Sequence, residues 1–381
     1  MLVILIFPTS YFPSRITNLF FVRYKYFISF LWAILVFLTC GLIKNKILLP
    51  VWLFLCAGGL ATIVNANAYS VYIQLFITTF SSVVITFFYI KLRGFHGIEN
   101  ISILFVLIII INTITEIFGG TLKPATNNLG ITTYKFYYFI GTRVHINNIF
   151  IFSFILSLII ALDNSLKYKV LAFTGILAGL YFIISLAVST AIATVIIFVT
   201  VLIATRIIRS AKVWRNISTF VLVLAILFYF VSVNSELYAW FINGFLDESL
   251  TFSGRTYLWE QAINGMNGWH WLLGNGMRST YFTLGSTFSV NTAHSQYLNI
   301  LYYFGFLGLA AYIYLMYNQF KVIGKITDQR IRSILIAGNI AIVIMGIPTT
   351  TFIEDYMYIF FVIVSILPGV FSNRGIETLK L

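Results

Sequence analysis

The chain has 381 residues, of which 60% are hydrophobic and only 9% are charged, and its formal net charge is +13. Soluble domains carry about 25% charged residues, so this chain has too few polar groups to cover a water-exposed surface. The composition excludes a soluble globular protein. The chain also has no basic soluble domain that would bind nucleic acid. Its positive charge is instead typical of a membrane protein, in which lysine and arginine gather in the cytoplasmic loops.

Apolar runs near the length of a membrane-spanning helix recur along the chain, whereas a barrel would show short alternating segments. We therefore expect an all-α integral membrane protein with about 11–12 transmembrane helices, built as a single polytopic domain over residues 1–381. Residues 1–26 are broken by Pro8, Pro13 and Arg15 and lack the features of a cleaved signal peptide. They could form a twelfth, broken span, a re-entrant segment or an interfacial segment. The clear spans are predicted at 27–43, 47–64, 71–90, 98–118, 146–162, 170–187, 190–205, 216–234, 296–318, 332–350 and 356–371.

Orientation follows from the basic loops. Six clusters of lysine and arginine fall on one side if the spans alternate, and that side is predicted to be the cytoplasm of a bacterial inner membrane. Only Arg23 and Lys25 disagree with this assignment. The six clusters are Lys44–Lys46, Lys91–Arg93, Lys167–Lys169, Arg206–Arg215, Lys321–Arg332 and Arg374–Lys380.

Two loops on the opposite, outer side are unusually long: Gly119–His145 and Ser235–Ala293. Long loops in a compact fold commonly carry function. The second loop, taken as the outer-face segment 235–295, is rich in aromatic residues, which disordered segments lack. We expect it to fold as a cap that contains short helices. Its tryptophans are Trp240, Trp259, Trp269 and Trp271.

The sequence offers little for metal or nucleotide chemistry. Cys40 and Cys56 lie in separate apolar runs, which predicts neither a disulfide nor a metal site. There is no D-x-D pair, no His/Cys ligand spacing, no glycine-rich phosphate loop and no G-x-S-x-G elbow. We therefore expect no metal and no cofactor, and a metal-dependent sugar-nucleotide transferase is disfavoured.

Arg255 is the first candidate site residue. The segment TYLWEQAI after it predicts a short helix, with Ser253 as N-cap and an apolar stripe of Leu258, Trp259 and Ala262. An arginine in the first turn opposes the helix dipole, which suggests that an anion sits there. A guanidinium that contacts lipid headgroups or water is the other interpretation, and spacing alone leaves both open.

His294 is the second candidate, at the start of a predicted span. At helical spacing His294, Leu298, Leu301, Gly305 and Gly308 would share one face, and the two glycines would let another helix approach closely. Histidine accepts a proton near neutral pH, as a general base must. An interfacial histidine with a structural hydrogen bond remains the alternative.

Further positive charge is predicted on the outer side, against the orientation rule, and suggests a specific anion. Arg143 and His145 in GTRVHINN, Lys123 and Lys135 before them, and Arg278 after the GNGM turn could bind it, although anionic lipid would also explain them. Glu260, one of few carboxylates expected on that side, is a further candidate for substrate binding.

Three late segments resemble the O-antigen polymerase and O-antigen ligase superfamily of bacterial membrane glycosyltransferases. They are SGRTYLWEQAI at 253–263, LLGNGM at 272–277 and AHSQYLNILYYFGFLG at 293–308, and GTRVHINN is similar to the family's arginine-containing outer region. In one place the chain departs from the family pattern. Where a Ser-Arg pair is expected between two central spans, Thr190 follows Ser189, so a second diphosphate-binding arginine is missing there.

The resemblance implies a GT-C-like helical fold and a metal-independent glycosyltransferase that acts on the periplasmic face. Its donor would be a glycan on undecaprenyl diphosphate, with Arg255 holding the diphosphate and His294 activating the acceptor hydroxyl. Arg143, Lys135 or Arg278 would replace the missing arginine.

We expect a polymerase of lipid-linked repeat units of O-antigen or capsule. The lipid-linked donor and acceptor, a chain-length regulator and a flippase of the same pathway would be its partners. A ligase that transfers the glycan to lipid A-core, or a lipid-linked oligosaccharide flippase, are the alternatives.

Overall fold

The computed structural model describes residues 23–40, 46–65, 69–126, 132–139, 143–163, 165–232, 255–277, 282–284, 288–290 and 292–377. The predicted broken span at the start of the chain, Trp240 and Ser253 lie outside these residues. The first half contains α1 (Arg23–Thr39), α2 (Leu49–Val64), α3 (Tyr69–Arg93), α4 (Phe95–Ile117), β1 (Thr121–Thr126), β2 (Thr132–Tyr137), α5 (Arg143–Ile160) and α6 (Leu166–Ser185). The second half contains α7 (Ser189–Ile207), α8 (Ala211–Ser232), α9 (Arg255–Asn264), α10 (His270–Leu273), β3 (Phe282–Leu284), β4 (Phe288–Val290), α11 (Gln296–Ile323), α12 (Gln329–Met345) and α13 (Asp355–Glu377).

Each of the eleven clear predicted spans overlaps one helix of the described residues. Within the described ranges, six helices (α3, α4, α6, α7, α8 and α11) are long and apolar enough to cross a membrane. Shorter apolar stretches occur in α1, α2, α5 and α13. The protein is a nearly all-helical, multi-pass membrane protein, as predicted.

The two short antiparallel hairpins, β1–β2 and β3–β4, were not expected in an all-α chain. Both lie in the long loops that are predicted to face the outer side. The short helices predicted for the second loop are confirmed in its described part, which contains α9, α10 and the hairpin β3–β4.

The centre of the bundle is filled by aromatic side chains. Phe54 of α2, Phe304 of α11 and Phe352 between α12 and α13 are all fully or nearly fully buried. Their ring centroids lie 5.6 to 6.2 Å apart at steep interplanar angles, which is the edge-to-face geometry that aromatic pairs prefer. This cluster joins the early helices to the late segment that carries the candidate site residues.

Basic loops that are distant in sequence meet at one end of the bundle. Arg206 and Arg209 line the same cavity as Arg330, and Lys46 lines a second cavity with Asn318 at the far end of α11. The described clusters therefore share one end, as the alternation of spans predicts. We call it the basic end.

The opposite end contains the segments around His294. The last turn of α2 reaches the loop after α10, where the side chain of Asn65 donates a 3.1 Å hydrogen bond to the carbonyl of Gly274. Tyr26, near the start of α1, lies close enough to Asp355 for the carboxylate charge to act on it. The start of α1 thus lies at this end, so the disagreement of Arg23 and Lys25 with the charge rule stands.

The predicted continuous helical face below His294 is wrong. Helix α11 begins at Gln296, two residues later, and is interrupted at Gly305, whose backbone is non-helical (φ 63°, ψ −165°). At Gly305 a close approach is present, but from a short helix. A Cβ at Gly305 would overlap the backbone of Leu272, in helix α10, and of Gly274 just after it, so the end of α10 packs against this glycine. A Cβ at Gly308 would instead meet the Phe304 side chain of α11 itself.

Candidate active site

His294 lies on a short, tightly held segment rather than in a helix. Its backbone has a positive φ of 50°, which is uncommon for a residue with a side chain. The backbone N–H of His294 donates to the hydroxyl of Thr292 (3.0 Å), and Ser295 caps α11 by accepting from the N–H of Leu298 (3.2 Å). These two local bonds fix the backbone on either side of the imidazole.

Asn299, one turn into α11, ties this segment to the loop between α12 and α13. Its carboxamide oxygen accepts the N–H of Ala293 (2.9 Å), and its amide nitrogen donates to the hydroxyls of Thr292 (2.7 Å) and Thr350 (2.6 Å). The side chain is completely buried, so this network is shielded from water. Asn299 therefore sets where the strained backbone of His294 lies.

Gln296 anchors the facing loop in the same way. Its carboxamide oxygen accepts the backbone N–H groups of Thr351 (2.6 Å) and Phe352 (3.0 Å), and its backbone N–H donates to Gly346 (2.8 Å). The first turn of α11 thus holds the α12–α13 loop on one side of His294.

Helix α9 brings Arg255 to the histidine. Leu258, Trp259 and Ala262 are buried as the predicted apolar stripe. The indole N–H of Trp259 donates a 3.1 Å hydrogen bond to the carbonyl of Ala293, the residue before His294. Arg255 is four residues before Trp259 in α9, so the two residues lie one helical turn apart on the same face.

The positive charge of Arg255 acts on the imidazole of His294. Burial lowers the pKa of the His294 imidazole below its ordinary value, and the positive charge of Arg255 lowers it further. Both effects disfavour the imidazolium form. At neutral pH His294 is therefore a neutral imidazole that can accept a proton, beside a guanidinium that can bind an anion.

The α9 segment is held by further contacts with the bundle. The Trp259 ring packs at right angles on Tyr229 of α8, with centroids 5.0 Å apart, and the Tyr229 hydroxyl donates to the carbonyl of Ile347 (2.6 Å). Beyond α9, Asn275 and Gly276 donate backbone N–H groups to the carbonyls of Tyr302 and Tyr303 at 2.8 and 2.9 Å. In an unbroken α11 these two carbonyls would accept hydrogen bonds within the helix, and the break at Gly305 makes them available to the other segment.

The remaining predicted residues are placed less completely. Glu260 lies on the exposed side of α9, away from the buried stripe. Arg143 and His145 begin α5, and Lys135 lies in β2 with its Cα paired to that of Lys123, but only their backbone is described. Arg278 lies outside the described residues.

Ser189 and Thr190 begin α7, whereas Arg206 lies in its last turn. Thr190, which stands where the family pattern has an arginine, is therefore at the end of α7 opposite Arg206. Among the residues that the structure describes, no group of three or more His, Cys, Asp or Glu side chains is arranged to hold a metal ion. Cys40 and Cys56 are both free.

The residues that hold His294 in place were not identified from the sequence. Thr292, Gln296, Asn299 and Thr350 carry the network, and Trp259 appeared only as part of an apolar stripe. One signal was present: Gln296 and Asn299 are amide side chains within a predicted span, and polar groups in such places are commonly functional.

The family model Wzy_C, described as O-Antigen ligase, matches residues 173–313. The matched segment runs from α6 into α11, so it includes both Arg255 and His294, whereas Lys135, Arg143 and His145 precede it. No curated protein and no solved structure matches the chain. The match at residues 173–313 confirms that this part of the chain is similar to the O-antigen polymerase and ligase superfamily.

Proposed function

We propose that the protein polymerises undecaprenyl-diphosphate-linked oligosaccharide repeat units into a surface polysaccharide, O-antigen or capsule, on the outer face of a bacterial inner membrane. The observation that carries the proposal is the neutral imidazole of His294 within electrostatic reach of Arg255, at the bundle end opposite the basic loops. The family domain, which supports an enzyme of the ligase and polymerase type, contains both residues.

In the proposed step, a hydroxyl oxygen of one glycan attacks the anomeric carbon of another. The bond from that carbon to the diphosphate oxygen breaks, and undecaprenyl diphosphate leaves with the electron pair. A ring nitrogen of His294 takes the hydroxyl proton. A general base must be deprotonated at the working pH, and the lowered pKa of His294 meets that condition.

Arg255 would stabilise the negative charge that develops on the diphosphate. It stands in the first turn of α9, and the N-terminal end of a helix favours an anion. A guanidinium contributes most where it is prepositioned before the charge appears, and the Trp259–Ala293 hydrogen bond fixes α9 against the His294 segment. Because the diphosphate is an activated leaving group and Arg255 supplies positive charge, we propose a reaction without a metal.

The other candidates are assigned to substrate binding. Lys135, Arg143, His145 and Arg278 would contact the second phosphate or the acceptor glycan, and Glu260 would contact sugar hydroxyls. Single alanine variants at these positions are expected to raise KM for the lipid-linked substrate more than they lower kcat, because binding rather than the chemical step would be affected.

The test is complementation of a strain that lacks the protein. We expect His294→Ala and Arg255→Ala each to lower polymerisation by about 100-fold or more, judged from losses of a general base or a charge-stabilising donor, and to leave single repeat units on the final acceptor. His270→Ala is the matched control, since His270 lies in the next helix, α10, and its ring packs on that of Trp269. Unchanged chain-length distributions for both variants would refute the mechanism.

The second candidate function is a ligase that transfers a lipid-linked glycan to lipid A-core or another acceptor. The description of the matched family as O-Antigen ligase supports this second function. Deletion separates the two, because loss of a ligase leaves no glycan on the acceptor, whereas loss of a polymerase leaves one repeat unit.

A flippase is distinguished with purified protein and a lipid-diphosphate donor in detergent. New glycosidic bonds support an enzyme, and unchanged substrate supports a transporter. Co-purification with a chain-length regulator or a flippase would test the expected partners.

A further inference from the structure

A cavity of about 1000 Å³ opens at the basic end, where α5, α7 and α12 meet. Three arginines from three segments line it: Arg206 in the last turn of α7, Arg209 in the link to α8, and Arg330 in the first turn of α12. Because it lies at the end opposite His294, the proposed transfer reaction does not use it.

The cavity carries an excess of positive charge. In the part of the chain that the structure describes, the one salt bridge joins His96 and Glu99, so no carboxylate pairs with any of the three arginines. Asp328 also lines the cavity, but one of its oxygens accepts the N–H groups of Arg330 (2.7 Å) and Ile331 (3.1 Å) and thereby caps α12. Three arginines against one aspartate leave an excess of two positive charges.

A serine lines the same space. Ser333 is only 7% exposed as a residue, and its hydroxyl makes no hydrogen bond with any residue that the structure describes. Because the residue lines the cavity, this hydroxyl can donate to an acceptor that a ligand supplies there.

The rest of the lining is apolar. Leu158 and Leu162 near the end of α5, Leu202 of α7 and Ile334 of α12 continue the cavity along the sides of the helices, away from the arginines. A ligand that uses the whole cavity needs a negatively charged group at one end and a hydrocarbon chain at the other. A free phosphate or a nucleotide would leave the apolar part unused.

We propose that this cavity is a binding site for an anionic phospholipid of the leaflet opposite His294. Arg206, Arg209 and Arg330 contact the phosphate oxygens, Ser333 donates its hydroxyl, and an acyl chain lies against the leucines. Guanidinium groups bind phosphate oxygens in a two-pronged way, and basic pockets between membrane helices bind phosphate-rich headgroups. The charge excess favours a lipid with two phosphates, cardiolipin, over phosphatidylglycerol.

The test is lipid binding to the delipidated full-length protein in detergent, measured by native mass spectrometry with cardiolipin, dioleoyl-phosphatidylglycerol and dioleoyl-phosphatidylcholine. We expect phosphatidylcholine to bind at least tenfold more weakly than cardiolipin. The triple variant Arg206→Gln, Arg209→Gln, Arg330→Gln is expected to bind cardiolipin at least tenfold more weakly than the unaltered protein. The control variant Lys212→Gln, Lys321→Gln, Lys325→Gln removes the same charge at the same end but outside the cavity, and is expected to change binding less than twofold.

Equal weakening in the two triple variants, or none in the arginine variant, overturns the proposal. Displacement of cardiolipin by inorganic pyrophosphate at equal concentration overturns it too, since a free anion would then suffice. If the arginine variant fails to fold, Ala161→Trp decides, because the indole fills the apolar part of the cavity. A folded Ala161→Trp protein that binds cardiolipin as strongly as the unaltered protein refutes the site, and a tenfold loss supports it.

Discussion

Two effects lower the pKa of the His294 imidazole. Burial removes water that would solvate an imidazolium, and the nearby charge of Arg255 repels one. The pKa of His294 is therefore below that of a histidine in water. A base of this kind keeps its proton-accepting form through the neutral range, where a surface histidine would be partly protonated.

The first prediction concerns pH. Because the reaction requires neutral His294, activity should be full at neutral pH and fall as the pH drops through the lowered pKa, with a midpoint below that of an ordinary histidine, about 6.5. In Arg255→Gln the repelling charge is gone, so the midpoint of His294 should move to higher pH. NMR titration of labelled histidine measures this without requiring activity.

Arg215→Gln, a change at the basic end, is the control for this titration and should leave the midpoint of His294 where it is. A midpoint at or above that of a free histidine, or a downward shift in Arg255→Gln, would contradict the assignment.

The second prediction concerns Trp259, whose indole N–H holds the Ala293 carbonyl. Trp259→Phe removes this donor but keeps an aromatic ring on Tyr229, so the fold should survive. One lost hydrogen bond is worth about 1 kcal/mol, and we expect a fall of about fivefold in kcat with little change in KM. Trp269→Phe, at a half-exposed ring in the same segment, should be nearly neutral. If both variants lose activity equally, Trp259 does not position His294.

At this scale the sequence predicted candidate reactive groups but not the contacts that hold them in place. Arg255 and His294 were chosen from helix-dipole and proton-transfer arguments, which depend on the residues alone. The positive φ of His294 and the bonds from Thr292 and Asn299 depend on how a loop, a helix start and a distant turn meet. No local pattern contains that information.

Among the elements, α11 and the loop after α10 form one interlocked unit. Gly305 and Gly274 both have backbone angles that only glycine adopts readily (φ 63°, ψ −165° and φ 71°, ψ −176°). Each lies where the other segment's backbone would meet a Cβ. The break in α11 and the LLGNGM turn are therefore two halves of one structure, and they fix α9 and His294 relative to each other.

The third prediction follows from this unit. Gly305→Ala places a Cβ against the carbonyl of Leu272 in a backbone region closed to alanine. We expect a loss of about 2 kcal/mol or more in stability, seen as a lower Tm in detergent, together with a loss of activity. Gly324 follows the last residue of the same helix and has room for a Cβ, so Gly324→Ala should change neither the Tm nor the activity. Equal Tm values for Gly305→Ala and Gly324→Ala would show that the interlock does not stabilise the fold.

Hydropathy predicted every long helix that the structure describes, because a span must be apolar along its whole length. It could not predict the hairpins β1–β2 and β3–β4, which lie in loops between spans, where no such demand acts. It also could not detect the break at Gly305. The backbone N–H groups of Asn275 and Gly276 donate to the carbonyls of Tyr302 and Tyr303. No polar side chain of α11 is needed to pair with these carbonyls, so the sequence of the helix gives no sign of the break.

The whole molecule has two chemically different ends. One end gathers Arg255, His294 and the buried amide network, and the other gathers the basic loops and the lipid cavity that we propose. This separation matches an enzyme whose substrate is presented on one side of the membrane while its loops are retained on the other. The side on which each end lies follows from charge alone, so it can be tested independently of catalysis.

The fourth prediction is the topology. In a background with Cys40→Ser and Cys56→Ser, single cysteines at Asn267, exposed after α9, and Lys325, exposed after α11, report on the two ends. A membrane-impermeant maleimide added to spheroplasts should label Asn267→Cys at once and Lys325→Cys only after permeabilisation. The reason is that short loops rich in lysine and arginine stay in the cytoplasm. Labelling of both sites from the outside would place the ends on one side, and the reverse pattern would put His294 in the cytoplasm, where our proposed reaction has no substrate.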